Sequence, residues 1–527
     1  MKLLSSAAIV GSFTIGSRLT GFIRETLMAS LLGAGAISDA FIVALKLPSI
    51  FRRILAEGAM NAAFVPLFSG LLASEGKESA KSFAEEIFAI LTLILLGLVV
   101  VMEIFLPTLM PIFVPGFKDT PDRMALAIEF SRVTFPFIFL ISLTALYSGI
   151  LNSFEKFAAV ASSPMIGNIA LILTVYAFLW IVGSDVGLAF SSAILVCGIV
   201  QLLWVVIPLA RRGFVLSWVK PKWGPKVRHF FKLMAPAALG SGVVQLSIFI
   251  DTLIASLLPA GSISYIHYAD RLSQLPLSVL GTAIGTALLP LLSKQIRAQN
   301  YQGAKESQNL ALEYALLFTL PATIGLIFLA EPLIRIIFEH RAFQASSTLP
   351  TARTLMAFAS GLPAYVLIKI FTTSFFARQD TKTPVLVAIF SVIANVVISL
   401  LLLKTFKHVG IALATSISAW MNVSLLGFIL WRRRALQFNE RFENFFPRVL
   451  VSSLLTILLM IALSSLFKSL NQNPFWIQSL SLMLIVIGGF LGFFIFSQLT
   501  KAFNYQDFRR QFHQENNIVS QEEKIDL

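Results

Sequence analysis

The feature that most constrains this chain is a series of long apolar runs separated by short polar loops. The run at 90–113, ILTLILLGLVVVMEIFLPTLMPIF, contains one acid and no base. A helix needs about 20 apolar residues to cross a bilayer, because lipid cannot replace the hydrogen bonds of the backbone. A membrane β-barrel would instead show alternating segments of about 10 residues, which are absent from the sequence. The sequence therefore predicts an all-α polytopic membrane protein.

The composition and the placement of charge agree with this fold class. Hydrophobic residues make up 57% of the 527 residues and charged residues 13%, whereas soluble domains carry about 25% charged residues. The formal net charge of +14 does not indicate a nucleic-acid partner, because the cations outside the helices fall mainly in loops of one parity. This is the bias of cytoplasmic loops, and it predicts that both termini lie in the cytoplasm.

The apolar runs predict fourteen helices, of which the second is long and bent near Pro48. Lys118 and Arg123 are among the few cations that fall in the opposite loops. The predicted helical spans are 6–31, 37–70, 87–115, 126–152, 158–182, 187–210, 230–257, 262–292, 309–338, 349–377, 384–405, 409–431, 446–466 and 475–500.

An internal repeat divides the chain into two halves. Residues 26–38, TLMASLLGAGAIS, align without a gap to residues 252–264, TLIASLLPAGSIS, with ten identities in thirteen positions. Six predicted helices separate the copies, so both halves take the same orientation, and parallel repeats are a transporter architecture with the substrate between the halves. We predict six-helix lobes at 1–225 and 226–440, two extra helices at 441–500 and a polar cytoplasmic tail at 501–527.

Five cations interrupt the otherwise apolar stretch 16–68. A cation inside a bilayer costs roughly 2.5 to 3.5 kcal/mol, so a cluster predicts an aqueous cavity or a partner anion. Arginine suits phosphate because its planar fork binds two oxygens and keeps its charge. Pairing with Glu25 or reaching the membrane surface is the structural alternative for Arg24. The five cations are Arg18, Arg24, Lys46, Arg52 and Arg53.

Local spacing separates the two adjacent arginines. Arg53 and Glu57 lie at i and i+4 and can pair on one helix face, which predicts a structural role for Arg53. Arg52 has no such local partner and is the better ligand candidate. Asp39 lies near the outer end of the second helix, where it can either cap the helix start or contact a cavity arginine as a gate.

The second half supplies fewer charged candidates. We predict that Arg271 faces the cavity, that Asp270 holds a neighbour and that Gln274, one turn on, offers a neutral hydrogen-bonding group. Asp251 is a lone acid in an apolar helix, and Asn395 with Thr415 adds polar oxygens to later helices. Such oxygens can hold Na⁺, pass a proton or simply form hydrogen bonds between helices.

Several motifs resemble those of the MurJ/MviN family of lipid II flippases, within the multidrug/oligosaccharidyl-lipid/polysaccharide exporter superfamily. The resemblance runs over nearly the whole chain. It is carried by SRLTGFIRE (17–25), GAGAISDAF (33–41), KLPSIFRRILAEGAMNAAFVPLFS (46–69), YADRLSQLPLSVLGTAIGTALLPLLSK (268–294) and DTKTP (380–384).

The resemblance implies a V-shaped fold of fourteen helices with a central cavity, whose last two helices form a groove for the undecaprenyl tail. It implies that the substrate-binding arginines are Arg18, Arg24, Arg52 and Arg271, with Asp39 at the outer gate. A sodium site in some members would use Asp251, Asn395 and Thr415. Here Ser399 occupies a position where such sites can have an acid.

We therefore expect a flippase that moves lipid II from the inner to the outer leaflet of the bacterial cytoplasmic membrane by alternating access. Its partners would be lipid II, membrane lipids and cell-wall synthesis proteins. No phosphate-binding loop G-x-x-x-x-G-K-[ST] occurs, so we expect no ATP hydrolysis and no cofactor, with Na⁺, H⁺ or the membrane potential as the drive. The alternatives are an exporter of another lipid-linked oligosaccharide, a polyprenyl-pyrophosphate enzyme and a non-transporting scaffold.

Overall fold

The computed structural model describes residues 2–53, 60–183, 185–467 and 474–503, without the side chains of 2–8, 61–62, 237–244, 278–287 and 466–467. Within these ranges the regular structure is helical and no β-strand occurs. The chain divides into two compact units, Met1–Tyr268 with Phe338–Ser347, and Ala269–Ile337 with Thr348–Leu527. The predicted lobes are defined by the sequence repeat, whereas these two units are defined by packing. The lobe boundaries therefore stay a prediction.

Among the described residues, the first unit contains nine helices, the beginning of a tenth and the later segment Phe338–Ser347. A short 3₁₀ turn, Pro115–Phe117, follows the fourth helix. The helices are α1 (Lys2–Leu32), α2 (Ala36–Arg52), α3 (Asn61–Ser74), α4 (Lys77–Phe113), α5 (Pro121–Thr134), α6 (Phe137–Ser153), α7 (Phe157–Ile181), α8 (Val186–Ala210), α9 (Pro225–Ser256) and the start of α10 (Ser262–Arg297).

The second unit contains the remainder of α10 and the later helices, with one strong kink. Helical geometry breaks at Lys407, where φ is 50° and ψ is −129°. The two predicted helices at 384–405 and 409–431 are therefore two helices that meet at this kink, and both are included in α15. The helices are α11 (Tyr301–Phe328), α12 (Ala330–Phe338), α13 (Ala345–Ala359), α14 (Leu362–Ala377), α15 (Lys382–Arg432), α16 (Glu440–Phe467) and α17 (Phe475–Leu499).

The structure confirms the all-helical class, and the described parts of the predicted spans fall on helical segments. The span 37–70 includes α2 and α3, and residues 54–59 between them lie outside the described residues. Three other spans are interrupted: 126–152 holds α5 and α6, 309–338 holds α11 and α12, and 349–377 holds α13 and α14. Apolar periodicity cannot locate such breaks, because the hydropathy stays high across them.

Nine helical stretches in the described part of the chain are long and apolar enough to cross a membrane. The candidate site residues Arg18, Arg24, Arg52, Asp251 and Arg271 lie on α1, α2, α9 and α10.

In the first unit, α1 packs along α7, α7 packs against α8, and α2 packs against α5. A close approach fixes the end of α9: a Cβ on Gly116 would lie 2.1 Å from the carbonyl oxygen of Ser256. The Gly116 N–H also hydrogen-bonds the Ser256 hydroxyl at 3.2 Å. Only glycine allows the 3₁₀ turn to lie this near the helix end.

The core of the second unit draws on α10, through Leu288 and Leu292, and on five later helices. Leu312 of α11, Phe371 of α14, Leu426 of α15, Val449 of α16 and Phe493 of α17 are all buried in one cluster. A second cluster joins α11 to the last two helices through Ile324, Met460, Leu482 and Ile485. The last two helices thus pack on α11 as part of this unit.

Three glycines of α17 face α16. A Cβ on Gly488 would lie 3.2 Å from Leu463, one on Gly489 3.2 Å from Met460, and one on Gly492 2.2 Å from Leu459. Small residues let two membrane helices approach closely. The chain that approaches this glycine face is therefore α16.

Candidate functional site

Arg24 of α1 is held by two different acceptors. Its Nη1 donates to the Asn168 Oδ1 of α7 at 3.0 Å, and its Nη2 donates to the neighbouring Glu25 Oε1 at 2.6 Å. The Arg24 side chain remains 29% exposed, whereas that of Glu25 is 6% exposed. The ion pair with Glu25 therefore exists, yet it leaves part of the Arg24 side chain exposed.

Glu25 has a second partner, on α10. The Nε2 of His267 lies 3.0 Å from Glu25 Oε2, and both side chains are buried. His267 is not among the predicted site residues, because a lone histidine in an apolar helix carries no pairing signal. Its position four residues before Arg271, immediately before the motif that opens with Tyr268, was the one available pointer.

The three predicted ligands of the first unit are alike in burial. Arg18, Arg24 and Arg52 are each half-buried. Their convergence on one anion stays a prediction.

The other two cations of the stretch 16–68 have different surroundings. Lys46 Nζ donates to the Thr252 hydroxyl of α9 at 2.9 Å, which is a contact inside the first unit. Arg53 is half-buried. Glu57, its predicted partner, lies outside the described residues, so the Arg53–Glu57 pair stays a prediction.

Asp39 lies in the first turn of α2 and is fully buried. Its Oδ2 accepts hydrogen bonds from the Gly261 N–H at 2.7 Å and from Arg123 Nη2 at 2.5 Å. Its Oδ1 accepts from the Ser264 N–H at 2.8 Å and from the Ser264 hydroxyl at 2.5 Å. Asp39 therefore caps the start of α10 instead of its own helix.

Arg123 corrects an expectation of the sequence analysis, which placed it in an outer loop. It lies in the first turn of α5 and is only 4% exposed. Its guanidinium carbon lies 4.0 Å from the centroid of the Phe117 ring. Because a buried guanidinium needs an anion, the fold supplies Asp39 from α2.

The turn between α1 and α2 is also bound by the start of α10. The Tyr268 hydroxyl donates to the Gly33 carbonyl oxygen at 3.0 Å and lies 3.2 Å from the Ser38 hydroxyl. Gly33 has φ of +66°, and a Cβ there would lie 2.4 Å from the Ala342 carbonyl oxygen. Asp39 and Tyr268 thus tie the same two elements together.

In the second unit, two of the predicted residues contact each other. The Gln274 Nε2 donates to Asp270 Oδ2 at 2.5 Å, one turn away on α10. Gln274 is exposed, and Arg271 is half-buried between them. The neighbour that Asp270 holds is therefore Gln274.

The predicted sodium ligands are distributed over both units. Asp251, on α9 of the first unit, is half-buried. Asn395 is 3% exposed on α15 of the second unit, one turn before the fully buried Ser399. The Ser399 hydroxyl has no hydrogen-bond partner among the described residues, and the Thr415 hydroxyl donates to the Ile411 carbonyl oxygen at 2.9 Å.

The described residues contain no group of three or more His, Cys, Asp or Glu side chains that could hold a metal ion. The predicted ligands Asp251, Asn395 and Thr415 offer oxygen atoms only. Oxygen-only ligands suit hard monovalent or divalent cations and not transition metals.

Comparison with known proteins gives consistent matches. The family model described as "Lipid II flippase MurJ" matches residues 28–486. A "Probable lipid II flippase MurJ" of Rhizobium meliloti (strain 1021) is 40% identical over 437 residues, 82% of this chain and 81% of the relative. Another, of Rickettsia prowazekii (strain Madrid E), is 35% identical over 509 residues, 96% of this chain and 99% of the relative.

Solved structures show the same likeness. The chain is similar to "Lipid II flippase MurJ, inward closed conformation", with a TM-score of 0.78, 28% identity and coverage of 95% of this chain and 99% of that one. It also shares a fold with an inward-facing multidrug resistance MATE family transporter, with a TM-score of 0.65 and 16% identity over 81% of this chain and 98% of the transporter.

Proposed function

This chain belongs to the MurJ family of lipid II flippases, and we propose that Arg18, Arg24 and Arg52 bind the pyrophosphate of its substrate. It is a multi-pass membrane transporter and not an enzyme, and it moves lipid II across the membrane for cell-wall synthesis. The family pattern assigns Arg271 to the same task.

The exposure of Arg24 is the observation that best supports these ligands. Its two hydrogen bonds use one N–H of each terminal nitrogen, so N–H groups remain for a ligand among the five of a guanidinium. A cation in a membrane helix costs roughly 2.5 to 3.5 kcal/mol unless water or an anion accompanies it. A pyrophosphate offers several oxygens at the spacing that arginine binds.

We propose that Asp39 acts at the outer gate. Its carboxylate holds the start of α10 through the backbone N–H groups of Gly261 and Ser264. Opening the outer gate would break these hydrogen bonds. They would therefore stabilise the state in which the outer gate is closed. Substrate binding can shift the balance only by binding one state more tightly than the other.

We propose that the undecaprenyl tail lies on the outward faces of α16 and α17. The glycine face of α17 is occupied by α16, so it is not available to the tail. Large apolar side chains on the other faces are exposed, among them Leu454, Leu458, Leu484 and Leu491. Lipid is the natural neighbour of such a surface.

We propose that a bound Na⁺ provides the energy for transport, because buried oxygen atoms in the second unit could bind it. The Ser399 hydroxyl is buried without a partner among the described residues and lies one helical turn from Asn395, so it could bind a polar ligand; the family resemblance adds Thr415. Sequence assigns Asp251 to the same ion. These oxygens would stabilise the charge of a bound Na⁺. The alternative coupling ion is H⁺, bound to an acidic side chain. The membrane potential adds about 2.3 kcal/mol per charge per 100 mV.

We propose that the protein lies in the bacterial cytoplasmic membrane with both termini in the cytoplasm. The support is the concentration of loop cations on one side of the predicted topology. Cell-wall synthesis proteins are the expected partners, because they make and consume lipid II.

The test measures which leaflet contains lipid II in cells with and without this protein. Depletion should leave lipid II in the inner leaflet, and the wild-type gene product should restore its outward movement. Unchanged movement of lipid II, with a change for another lipid-linked oligosaccharide, would contradict the proposal. A variant with Arg18, Arg24 and Arg52 all changed to Gln is the matched control for expression and insertion.

A further inference from the structure

Asn168 of α7 lies against one face of α1. Ser17, Thr20, Gly21 and Arg24 form a stripe there at the spacing of one helix face. The Asn168 side chain is 8% exposed, and a Cβ on Gly21 would lie 3.4 Å from its Nδ2. Asn168 is not among the site residues that the sequence predicts.

The hydrogen bonds of Asn168 determine which way its amide points. Its Nδ2 donates to the Ser17 carbonyl oxygen at 3.2 Å and to the Thr20 hydroxyl oxygen at 3.3 Å. The Thr20 hydroxyl itself donates to carbonyl oxygens of the preceding turn, at 3.0 and 3.1 Å, so its oxygen is an acceptor. A flipped amide would place its NH₂ against Arg24 and its oxygen against a carbonyl. The Oδ1 must therefore face Arg24.

Arg24 thus has one charged and one neutral anchor. Glu25 is the adjacent residue on α1 and compensates charge, whereas Asn168 on α7 accepts from the other terminal nitrogen without adding charge. Two anchors on different terminal nitrogens fix the plane of the guanidinium. A bidentate contact with phosphate oxygens depends on that plane, and fixing it before binding reduces the entropy lost on binding.

We propose that Asn168 is a positioning residue of the anion site, which orients the Arg24 guanidinium without neutralising it. This inference rests on the proposed role of Arg24 as a pyrophosphate ligand. It assigns a function to a residue of α7, a helix that contributes none of the predicted ligands. An aspartate at this position would keep the acceptor but place a second negative charge beside the bound anion.

The test titrates the purified full-length chain with lipid II and compares five variants, one of them Asn168→Asp, with the wild type. Asn168→Leu keeps the volume and removes the hydrogen bonds; Arg24→Ala removes the ligand; the double variant combines them. Asn422→Leu is the matched control, because Asn422 is also 8% exposed, on α15. Thermal unfolding of each variant reports on the fold separately.

We expect Asn168→Leu to weaken lipid II binding by about tenfold, as for loss of one hydrogen bond to a charged group. Asn422→Leu should bind as the wild type does. The double variant should bind no more weakly than Arg24→Ala alone, because Asn168 acts through Arg24. The inference would be overturned if the double variant lost affinity by the product of the two single fold-changes. It would also be overturned if Asn168→Leu bound lipid II as tightly as the wild type.

Two further outcomes separate this inference from the function on which it rests. Wild-type binding by Arg24→Ala would remove the ligand role of Arg24 and the inference with it. Weak binding by Arg24→Ala together with wild-type binding by Asn168→Leu would remove the inference alone. Asn168→Asp should weaken lipid II binding although aspartate has the same shape as asparagine, because it adds a negative charge. Wild-type affinity in that variant would contradict the proposal that the residue must be neutral.

Discussion

Arg123 of α5 donates a hydrogen bond at 2.5 Å to the carboxylate of Asp39 in α2, across 84 residues of sequence. The two side chains are 5% and 0% exposed. The same carboxylate accepts hydrogen bonds from the start of α10. The buried ion pair therefore stabilises the charged carboxylate of Asp39, which caps the start of α10. Through this carboxylate, α5 is linked to the proposed gate.

Removing one member of this pair should be strongly destabilising. Arg123→Met leaves the Asp39 charge buried with only dipolar partners, a change that costs about 3 to 5 kcal/mol in other buried pairs. The thermal unfolding temperature of the purified protein should fall markedly. The variant Asp39→Asn with Arg123→Met removes both charges and should be less destabilised; equal loss in both variants would contradict the account.

The cavity cations should be required for function and not for folding. Arg24→Ala and Arg52→Ala should each fail to support growth of flippase-depleted cells, because each removes a proposed pyrophosphate ligand. Membrane abundance should remain at the wild-type level. Arg212→Ala, which changes an exposed loop cation, is the control and should support growth. Normal growth with Arg24→Ala and Arg52→Ala would refute the ligand assignment.

Asp380 should stabilise the second unit in a pH-dependent way. Its pKa lies below the ordinary value, because the Thr383 hydroxyl and N–H donate to it and Arg433 donates as well. A depressed pKa gives stability that is complete above the ordinary aspartate pKa of about 4 and is lost as pH falls toward the lower folded value.

Asp380→Asn should therefore lower the unfolding temperature at pH 7 by the equivalent of about 1 kcal/mol, as for loss of a helix-start acceptor. The difference from the wild type should stay constant down to pH 5 and shrink below pH 4. Thr383→Val, which removes the hydroxyl donor, should give a smaller loss. A difference that does not change with pH would show that the charge is not involved.

The contact between α16 and α17 should depend on the glycine face. In Gly492→Leu the new side chain meets Leu459, whose Cδ2 lies 2.2 Å from the Cβ position. Overpacking of this kind costs about 1 to 3 kcal/mol, so thermal stability and lipid II binding should both decrease. Gly97→Leu in α4 is the matched control, because nothing lies within 4 Å of that Cβ position.

Sodium coupling predicts an ion-dependent rate. Lipid II movement in vesicles that contain the purified protein should slow when Na⁺ is replaced by K⁺ at constant ionic strength. Asn395→Leu should remove that dependence, because it deletes a proposed oxygen ligand. A rate that ignores the replacement would exclude Na⁺, and a dependence on an imposed pH gradient or potential would then identify the drive.

The sequence by itself determined that the chain is a bundle of membrane helices and which charged residues are unusual in it. Each apolar run must satisfy its own backbone hydrogen bonds in lipid, so hydropathy alone predicts helices. The cost of a cation in lipid likewise singled out Arg18, Arg24 and Arg52 without any structure. Both inferences depend on properties of one segment at a time.

Only the tertiary structure decided which residues these side chains meet. Asn168 lies 144 residues from Arg24, His267 lies 242 residues from Glu25, and Arg123 meets Asp39 from an element expected to be a loop. Such contacts depend on how each helix is rotated and where it is broken. Hydropathy is nearly uniform around a membrane helix, so it records neither the rotation nor the partner.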